Sequence, residues 1–533
     1  FKHTGKLHRP NGIFALLSMA LPDGNVYQIT DQNDIPDALE RLKAGSWLFH
    51  NAMYDIRQLR RWAPLPQRKV WDTMLMEQDM FGGLYQQFGL DDLARRWLSV
   101  YMDKSIREEF GGTETLTKPM AEYGGIDAFN TLRIAQAQKA WLKAEDETMK
   151  CYWDIDEPAM WAIMDMGPAR VDPDRWLEET AKFDFEAAKL QIELGFNVKS
   201  PDQVKKAIKK YAGVKVKNTK GEETLEPLRD SLAEGTKERE FMDLLIKTRN
   251  YRDAFSKYGA KWVEQNVEPG GWVYAGWRVT GAETGRMSCA KPNLQNIPVR
   301  DMPIFRSFFI PSEGHLMVMG DVNQQEPRIS AFLTQDEKLI EAVKDDKVYA
   351  NVAVLMGVSD WEKRDIKALT LGSMYGLSEY GMETKYGIPK EEGKKKNKKF
   401  FSTFPRVRFW ITSTRLRGQR FGYVRTATGR RCWLNEYSYQ AKNNAINSPI
   451  QGTAADMTKL SLVYTHRECD LRGIPFSVTM VIHDEKDSDA PKPVRVHQEL
   501  EAESWREAGK QIIPGIPVVT KVYTGLNWGA KVD

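Results

Sequence analysis

Two stretches of the sequence end a run of apolar residues on carboxylates. In Val481-Ile482-His483-Asp484-Glu485-Lys486-Asp487, the β-prone run from Phe476 to Ile482 stops at two adjacent acids. Successive side chains of a strand point to opposite faces, so a tight turn is needed for Asp484 and Glu485 to approach one ion. Leu316-Met317-Val318-Met319-Gly320-Asp321 repeats the construction, an apolar strand delivering an aspartate at its end. A single His-Asp-Glu is ordinarily a solvated hairpin tip. Two strand-borne acids set side by side are a site for hard divalent cations, which prefer oxygen ligands.

A second kind of chemistry lies in Trp361 to Gly376. Lys363, Lys367, Leu371 and Tyr375 are spaced by four and drift by about 40° per step along one helical face. Lys367 and Tyr375 are then ~12 Å apart along the axis, the reach of a nucleoside triphosphate with phosphates on lysine and base near tyrosine. An amphipathic helix with a lysine edge would read the same way. Thr280-Gly281-Ala282-Glu283-Thr284-Gly285-Arg286-Met287-Ser288 and Pro292-Asn293-Leu294-Gln295-Asn296-Ile297-Pro298 are loop sequences carrying a guanidinium and several amides. Such donors can hold a duplex by the minor groove, whose acceptors are similar on every base pair. Near the start, Asn51 and Asp55, and again Tyr123 and Asp127, are four apart. On a helix each pair shares a face, and a tyrosine beside a metal-bound carboxylate could orient water for phosphodiester hydrolysis.

The elements that must position these residues follow from the bulk of the chain. At 533 residues it is too long for one core, and 41% hydrophobic content with 16 tryptophans indicates folded domains. A net charge of +4 identifies no partner. Lysines at 205, 206, 209, 210, 215, 217 and 220, and at 394, 395, 396, 398 and 399, form two local clusters. A lysine run is usually a solvated face, but two of them flanking a metal-ready site favour a polyanion partner. Four scattered cysteines fit a reducing cytoplasm. No apolar run reaches the ~20 residues needed to span a bilayer, so no membrane partner is expected. Residues 1 to about 146 alternate strand and helix patterns, beginning with a hairpin through Pro22-Asp23-Gly24-Asn25. Residues 170 to about 265 are charge-rich helices, and Thr428 to Leu434 is a hairpin.

In this order the motifs resemble DNA polymerase family A, the DNA polymerase I type, in a short phage-like version covering essentially the whole chain. Asp321 to Arg328 resembles the family's first carboxylate motif, residues 363–376 its nucleotide-binding helix, and His483-Asp484-Glu485 its second carboxylate motif. Thr284-Gly285-Arg286 with Pro292 to Pro298, and Gln451-Gly452-Thr453-Ala454-Ala455-Asp456, resemble its duplex-contacting segments. Asn51/Asp55 and Tyr123/Asp127 resemble the second and third motifs of its 3′→5′ exonuclease.

The resemblance implies an α+β right-hand polymerase behind an RNase H-like α/β exonuclease domain. Expected boundaries are 1–146 for the exonuclease, 170–265 thumb, 266–335 palm, 336–435 fingers and 436–533 palm again. Template-directed DNA synthesis from dNTPs on primer–template DNA follows, with Asp321 and Asp484 binding two Mg²⁺ ions (Mn²⁺ a substitute) and Glu485 assisting. The family's roles carry over to Lys363, Arg364, Lys367, Leu371, Tyr375, Gln325 and His483 at the nucleotide. Glu326 is the expected barrier to a ribose 2′-hydroxyl, which argues against a single-subunit RNA polymerase. Both metal aspartates argue against a non-catalytic DNA-binding relic. Arg286, Asn293, Gln295, Asn296, Asn447 and Gln451 are expected on primer and template. A monomer is expected, open to replication accessory proteins.

Some positions depart from the family's pattern. Lys363 and Asn443 stand where arginines are usual, Leu371 where an aromatic is usual, and Gln325 and Pro327 where apolar residues are usual. No 5′-nuclease domain is recognised. The stretch before Ile13 has no acidic residue, so the exonuclease's Asp-x-Glu pair is expected upstream of Phe1, and exonuclease activity of this chain is expected to be feeble.

Overall fold

The computed structural model describes residues 16–42, 45–106, 116–142, 146–298, 302–359, 361, 363–435 and 440–531. The segment before Ile13, where the missing acidic pair was sought, lies outside them, as does the side chain of Arg364. Among the described residues no helix is long and apolar enough to cross a membrane.

The N-terminal module opens with an antiparallel hairpin, Leu17–Ala20 against Val26–Ile29. Trp47–Phe49 then pairs in parallel with Val70–Asp72, joined through helix Ala52–Leu59. Asp72 ends its strand as a cap. Its carboxylate accepts from the N–H groups of Met74 and Leu75 at the start of helix Thr73–Phe81, and from those of Asn51 and Ala52. One acid therefore satisfies donors of two helix N-termini, where the helix dipole also favours negative charge. Helix Lys118–Trp141 packs across both strand pairs.

A helical arm follows. Pro173–Leu194 is capped by the Asp172 side chain and closed by Gly195 at φ 73°, and it lies along Lys237–Tyr258. Trp176 stacks on Trp262 with ring centroids 4.3 Å apart, fixing the arm's base. The first lysine cluster lies on and after helix Pro201–Tyr211, between the two long helices.

The centre of the molecule is a four-stranded antiparallel sheet. Its order is Val478–Ile482, Glu485–Pro491, His315–Val322, Thr520–Gly525. The 32-residue helix Ala441–Arg472 and helix Arg495–Ile512 pack on each other, and the second of them backs this sheet. Gly320 shows how closely. A Cβ there would sit 2.2 Å from Glu501 Oε1, so only glycine lets helix and strand meet. Between the third strand and the long helix, residues 325–421 form a helical insertion whose apolar core, with Ile366, Leu369, Met374, Phe400 and Phe404, runs on into the long helix through Ile446 and Ile450.

Candidate active site

The sheet brings both carboxylate stretches together. Strands Val478–Ile482 and Glu485–Pro491 are joined by only two residues, His483 and Asp484, and His483 takes φ 59° to make the turn. Left-handed backbone is uncommon outside glycine, though histidine is among the residues enriched there. Across the sheet, Glu485 is the direct partner of Asp321, and Val322 N–H donates to the Asp484 carbonyl at 3.2 Å. The two apolar strands thus end at the same edge, and Asp321, Asp484 and Glu485 share it.

Their electrostatics differ. Glu485 is neutralised inside the fold. It accepts from Trp528 Nε1 at 2.7 Å and Arg306 Nη1 at 3.4 Å, and pairs with Lys531. Arg306 in turn stacks on the Trp528 ring at 3.9 Å. Asp321 and Asp484 have no such partner among the described residues. Burial, then the neighbouring Asp484 and Glu485 charges, push Asp321 up to about 6. Burial, with Glu326 and Glu485 nearby, also raises Asp484. Two acids held close in partial burial favour an added cation. Among the described residues, no group of three or more His, Cys, Asp or Glu is arranged as a complete metal cage. Loss of water around the His483 ring and the Arg286 charge lower its pKa, keeping the imidazole neutral near pH 7.

The helix after Asp321 begins at Gln325, with Gln324 at φ 55° before it. Arg328 is fully buried and donates to the carbonyls of Asn323, Val343, Asp345 and Pro517. It thereby ties the end of the aspartate strand to two other loops. Gln325 is buried and donates to the Ala454 carbonyl, so it braces the long helix. Glu326 is partly exposed. The Tyr375 hydroxyl is buried against it with Arg286 and Gln451 alongside, and burial followed by the Glu326 charge raises the phenol's pKa. Lys363 and Lys367 are exposed on helix Lys363–Met374, Leu371 is half-buried, and Tyr375 follows the last turn.

Of the predicted duplex contacts, Gln295 is spent internally. Its amide donates to the Val481 carbonyl at 3.2 Å and to that of Met287, bracing the carboxylate hairpin, so in this arrangement it offers no donor to a groove. Asn293 uses only its side-chain oxygen, accepting from Gln295 N–H as a helix cap. Tyr258 from the arm donates to the Asn296 carbonyl at 2.7 Å. Asn447 Oδ1 is buried with no hydrogen-bond partner among the described residues, and Gln451 lies one turn on.

In the N-terminal module Asn51 is not on a helical face with Asp55, as its spacing predicts. It sits at φ 66° before the helix, because its N–H and that of Ala52 bend back onto Asp72. Tyr123 and Asp127 do share a helix. Burial, then Asp72 and Asp127, push Asp55 up to about 7, so these three acids lie within electrostatic range. A cavity of about 620 Å³ adjoins them, lined by Asn51, Tyr54, Asp72, Trp277, Arg278 and Arg430, rather than the sheet carboxylates.

Sequence reasoning missed Arg306, Trp528 and Lys531 around Glu485, and Arg328. It also missed a buried cluster of Arg430, Asp456, Asp156, Lys459 and Asp79. Arg328, Arg430 and Asp456 lay in stretches already singled out, but without these roles.

An antiparallel sheet carrying paired carboxylates, with a helical arm and a helical insertion about it, defines the polymerase right hand. Residues 174–530 match DNA polymerase family A, and residues 9–141 match a 3′-5′ exonuclease family. The chain belongs to DNA polymerase family A. It is 28% identical to DNA polymerase I of Pseudomonas aeruginosa over 92% of this chain and 56% of that protein. Identity to DNA polymerase I of Mycobacterium leprae is also 28%, over 98% and 61%. The chain spans about half the length of the curated relatives it matches. In fold it is similar to the POL domain of Pol1 from M. smegmatis in complex with DNA primer-template and dNTP. That match has TM-score 0.84 and 24% identity, covering 97% of this chain and 93% of that one.

Proposed function

We propose that this chain is a template-directed DNA polymerase that adds dNTPs to a primer 3′ end, joined to a 3′→5′ exonuclease module. The observation that carries the reading is the contrast at the sheet edge. Asp321 and Asp484 lie close with no ion-pair partner among the described residues, while the adjacent Glu485 accepts from three donors. An incomplete oxygen site fits Mg²⁺, which is held by one or two carboxylates and completed by substrate phosphates and water. We assign it two Mg²⁺ ions, with Mn²⁺ able to substitute. When bound, they supply charge neutralisation at the attacking primer oxygen and the leaving pyrophosphate.

The protein's share is then positioning. Asp321 and Asp484 are fixed by strand register, and Glu485 with its donors keeps the hairpin rigid beside them. Lys363, Lys367 and, from the resemblance, Arg364 take the triphosphate. Tyr375, its hydroxyl buried near Glu326, covers the base pair, with Gln325 and Leu371 shaping the pocket beneath. Neutral His483 lies at the primer end. Arg286, Asn293, Asn296, Asn447 and Gln451 face primer and template, with Gln295 bracing the loop. Asn51, Asp55, Tyr123 and Asp127 serve the exonuclease. In these terms the arm is the thumb and the insertion the fingers. We assign a monomer acting in the cytoplasm, with accessory proteins as further partners.

Primer extension with dNTPs or rNTPs and Mg²⁺ tests the reading. Extension with dNTPs alone supports it, preferential extension with rNTPs would make the chain an RNA polymerase, and binding without extension would leave a DNA-binding protein. Glu326→Ala should raise ribonucleotide use relative to deoxyribonucleotide, because it opens the space against Tyr375. An unchanged ratio of kcat/KM values places the sugar gate elsewhere.

A further inference from the structure

The second lysine cluster does not form one solvated face. Lys394, Lys395, Lys398 and Lys399 are exposed on helix Lys390–Thr403, but Lys396 is only 6% exposed. Its Nζ lies 2.6 Å from Asp365 Oδ2 and 2.7 Å from Glu392 Oε1, and over the Trp361 ring. Burial opposes its charge, yet the two carboxylates more than offset that and hold the ammonium protonated. The next residue works at the other end of the same neighbour. Asn397 Oδ1 accepts from Ser373 Oγ at 2.8 Å, and Asn397 Nδ2 donates to the Leu377 carbonyl at 3.3 Å.

Asp365 and Ser373 both belong to helix Lys363–Met374, eight residues and therefore ~12 Å apart. At 100° per residue they fall about 80° apart, Asp365 opposite Lys363 and Lys367 and Ser373 on the flank, about 80° and 120° from them. The apolar contacts of that side, Ile366 and Leu369 in one core with Phe400, set which face is buried. The polar grips add directional ties at each end of that face. At the ~6 Å outer radius of the side chains, a roll of about 20° would move a group by ~2 Å, enough to lose a phosphate contact.

We propose that Lys396 and Asn397 are positioning residues for nucleotide binding, setting the roll of helix Lys363–Met374 and so aiming Lys363 and Lys367. This rests on the reading of that helix as the triphosphate site. Neither residue touches the nucleotide; each acts through the back of the helix. Arg415 makes a companion tie, donating from Nη2 to the Gly376 carbonyl and from Nε to the Lys442 carbonyl, which links the Tyr375 turn to the long helix.

Steady-state primer extension with Mg²⁺ tests this on Lys396→Met, Asn397→Ala, Asp365→Asn and the double variant Asp365→Asn/Lys396→Met. Asp365→Asn is the gentlest, because Lys396 keeps Glu392. Lys396→Met should raise KM for dNTP about tenfold, the size of a lost charge-assisted bond, and Asn397→Ala and Asp365→Asn about threefold to tenfold. Saturating kcat should stay within about threefold and primer–template Kd should not change. The double variant should be no worse than the worse single one, since both remove the same tie. Should Lys396→Met fail to fold, Asp365→Asn and Asn397→Ala carry the test. Lys367→Ala is measured alongside. A raised KM there beside unchanged KM in the clamp variants overturns this proposal alone. An unchanged KM for Lys367→Ala overturns the nucleotide reading and the proposal with it.

Discussion

Two groups of three acids in this protein have been given opposite fates. Asp79, Asp156 and Asp456 meet in the interior, each 1% exposed or less, around Arg430 and Lys459. Arg430 reaches all three, with 2.5 Å to Asp79 Oδ1 and 2.7 Å to Asp456 Oδ1, and Thr426 and Thr428 also donate to Asp456. At the sheet edge, Asp321 faces Glu485 across the sheet and Asp484 sits in the turn before it, and among the described residues only the glutamate has ion-pair partners. The lesson is that an acid cluster's role is read from its donors, not its acids. Where the fold provides the cations the cluster is a fastener. Where it withholds them, the site waits for a cation from solution.

The largest test of the comparison removes the fastener's cation. Arg430→Met should destabilise the protein by about 3–5 kcal/mol, because it strands buried carboxylates. The cluster joins residues 79 and 156 to 430, 456 and 459, so the N-terminal module should loosen first and show earlier proteolysis. A urea midpoint within ~1 kcal/mol of wild type would mean that the cluster relaxes by taking up protons and holds little together.

At the other cluster, the expected loss is of function. Asp321→Asn or Asp484→Asn should lower extension by ~10² or more, as for other groups that set transition-state electrostatics. Primer–template Kd should hold, because duplex affinity comes mainly from phosphate contacts elsewhere. More than a few per cent residual activity would remove these residues from the chemistry.

Stability at the sheet edge should move the opposite way. Asp321, raised to about 6, binds its proton more tightly folded than unfolded. Its contribution is therefore fully present below about pH 4 and is lost as pH rises through about 6. In chelator, Asp321→Asn should then be more stable than wild type at pH 7, by ~1–3 kcal/mol. Added Mg²⁺ should stabilise the wild type more than the variant. A variant that is less stable in chelator would mean that Asp321 already has its partner.

Both clusters were unequally legible in the sequence. Asp321 and Asp484 could be found because each ends an apolar strand, and a period of two followed by a charge is a local pattern. The helix face of Lys363, Lys367 and Leu371 was equally local. Arg430 and Asp79 are 351 positions apart, and no spacing announces that they touch. Glu485 was legible as an acid beside the two aspartates, but not its partners Trp528 and Lys531, which follow the last strand. Asn51 failed for a related reason. Its left-handed backbone is imposed by Asp72, which a count of four residues to Asp55 does not register. Lys396, in a run of like lysines, was distinguishable only by the helix phase that points it inward.

The smallest effect is the sharpest test of how the fastener balances. It holds three acids but only two cations, so one carboxyl must carry a proton to stay neutral. Burial, then the Asp156 charge, raise Asp79 well above its usual range, whereas in Asp156 the pull of Arg430 and Lys459 outweighs burial. Asp79 Oδ2 is also buried with no partner among the described residues, as expected of a group that is not an anion. Asn at this position keeps an oxygen for Arg430 and replaces a neutral O–H by a neutral N–H. Asp79→Asn should therefore cost no stability at pH 7 and, by removing the proton uptake that wild type needs there, gain some, against a loss of ~3 kcal/mol or more for Asp156→Asn. The sign of the pH dependence gives a second reading. A raised native pKa makes wild-type stability fall as pH rises from about 4 towards that pKa, and Asp79→Asn should flatten this slope. Urea midpoints at pH 5, 6, 7 and 8 measure both. If Asp79→Asn costs as much as Asp156→Asn, all three acids are ionised and the cluster is held against its own excess charge.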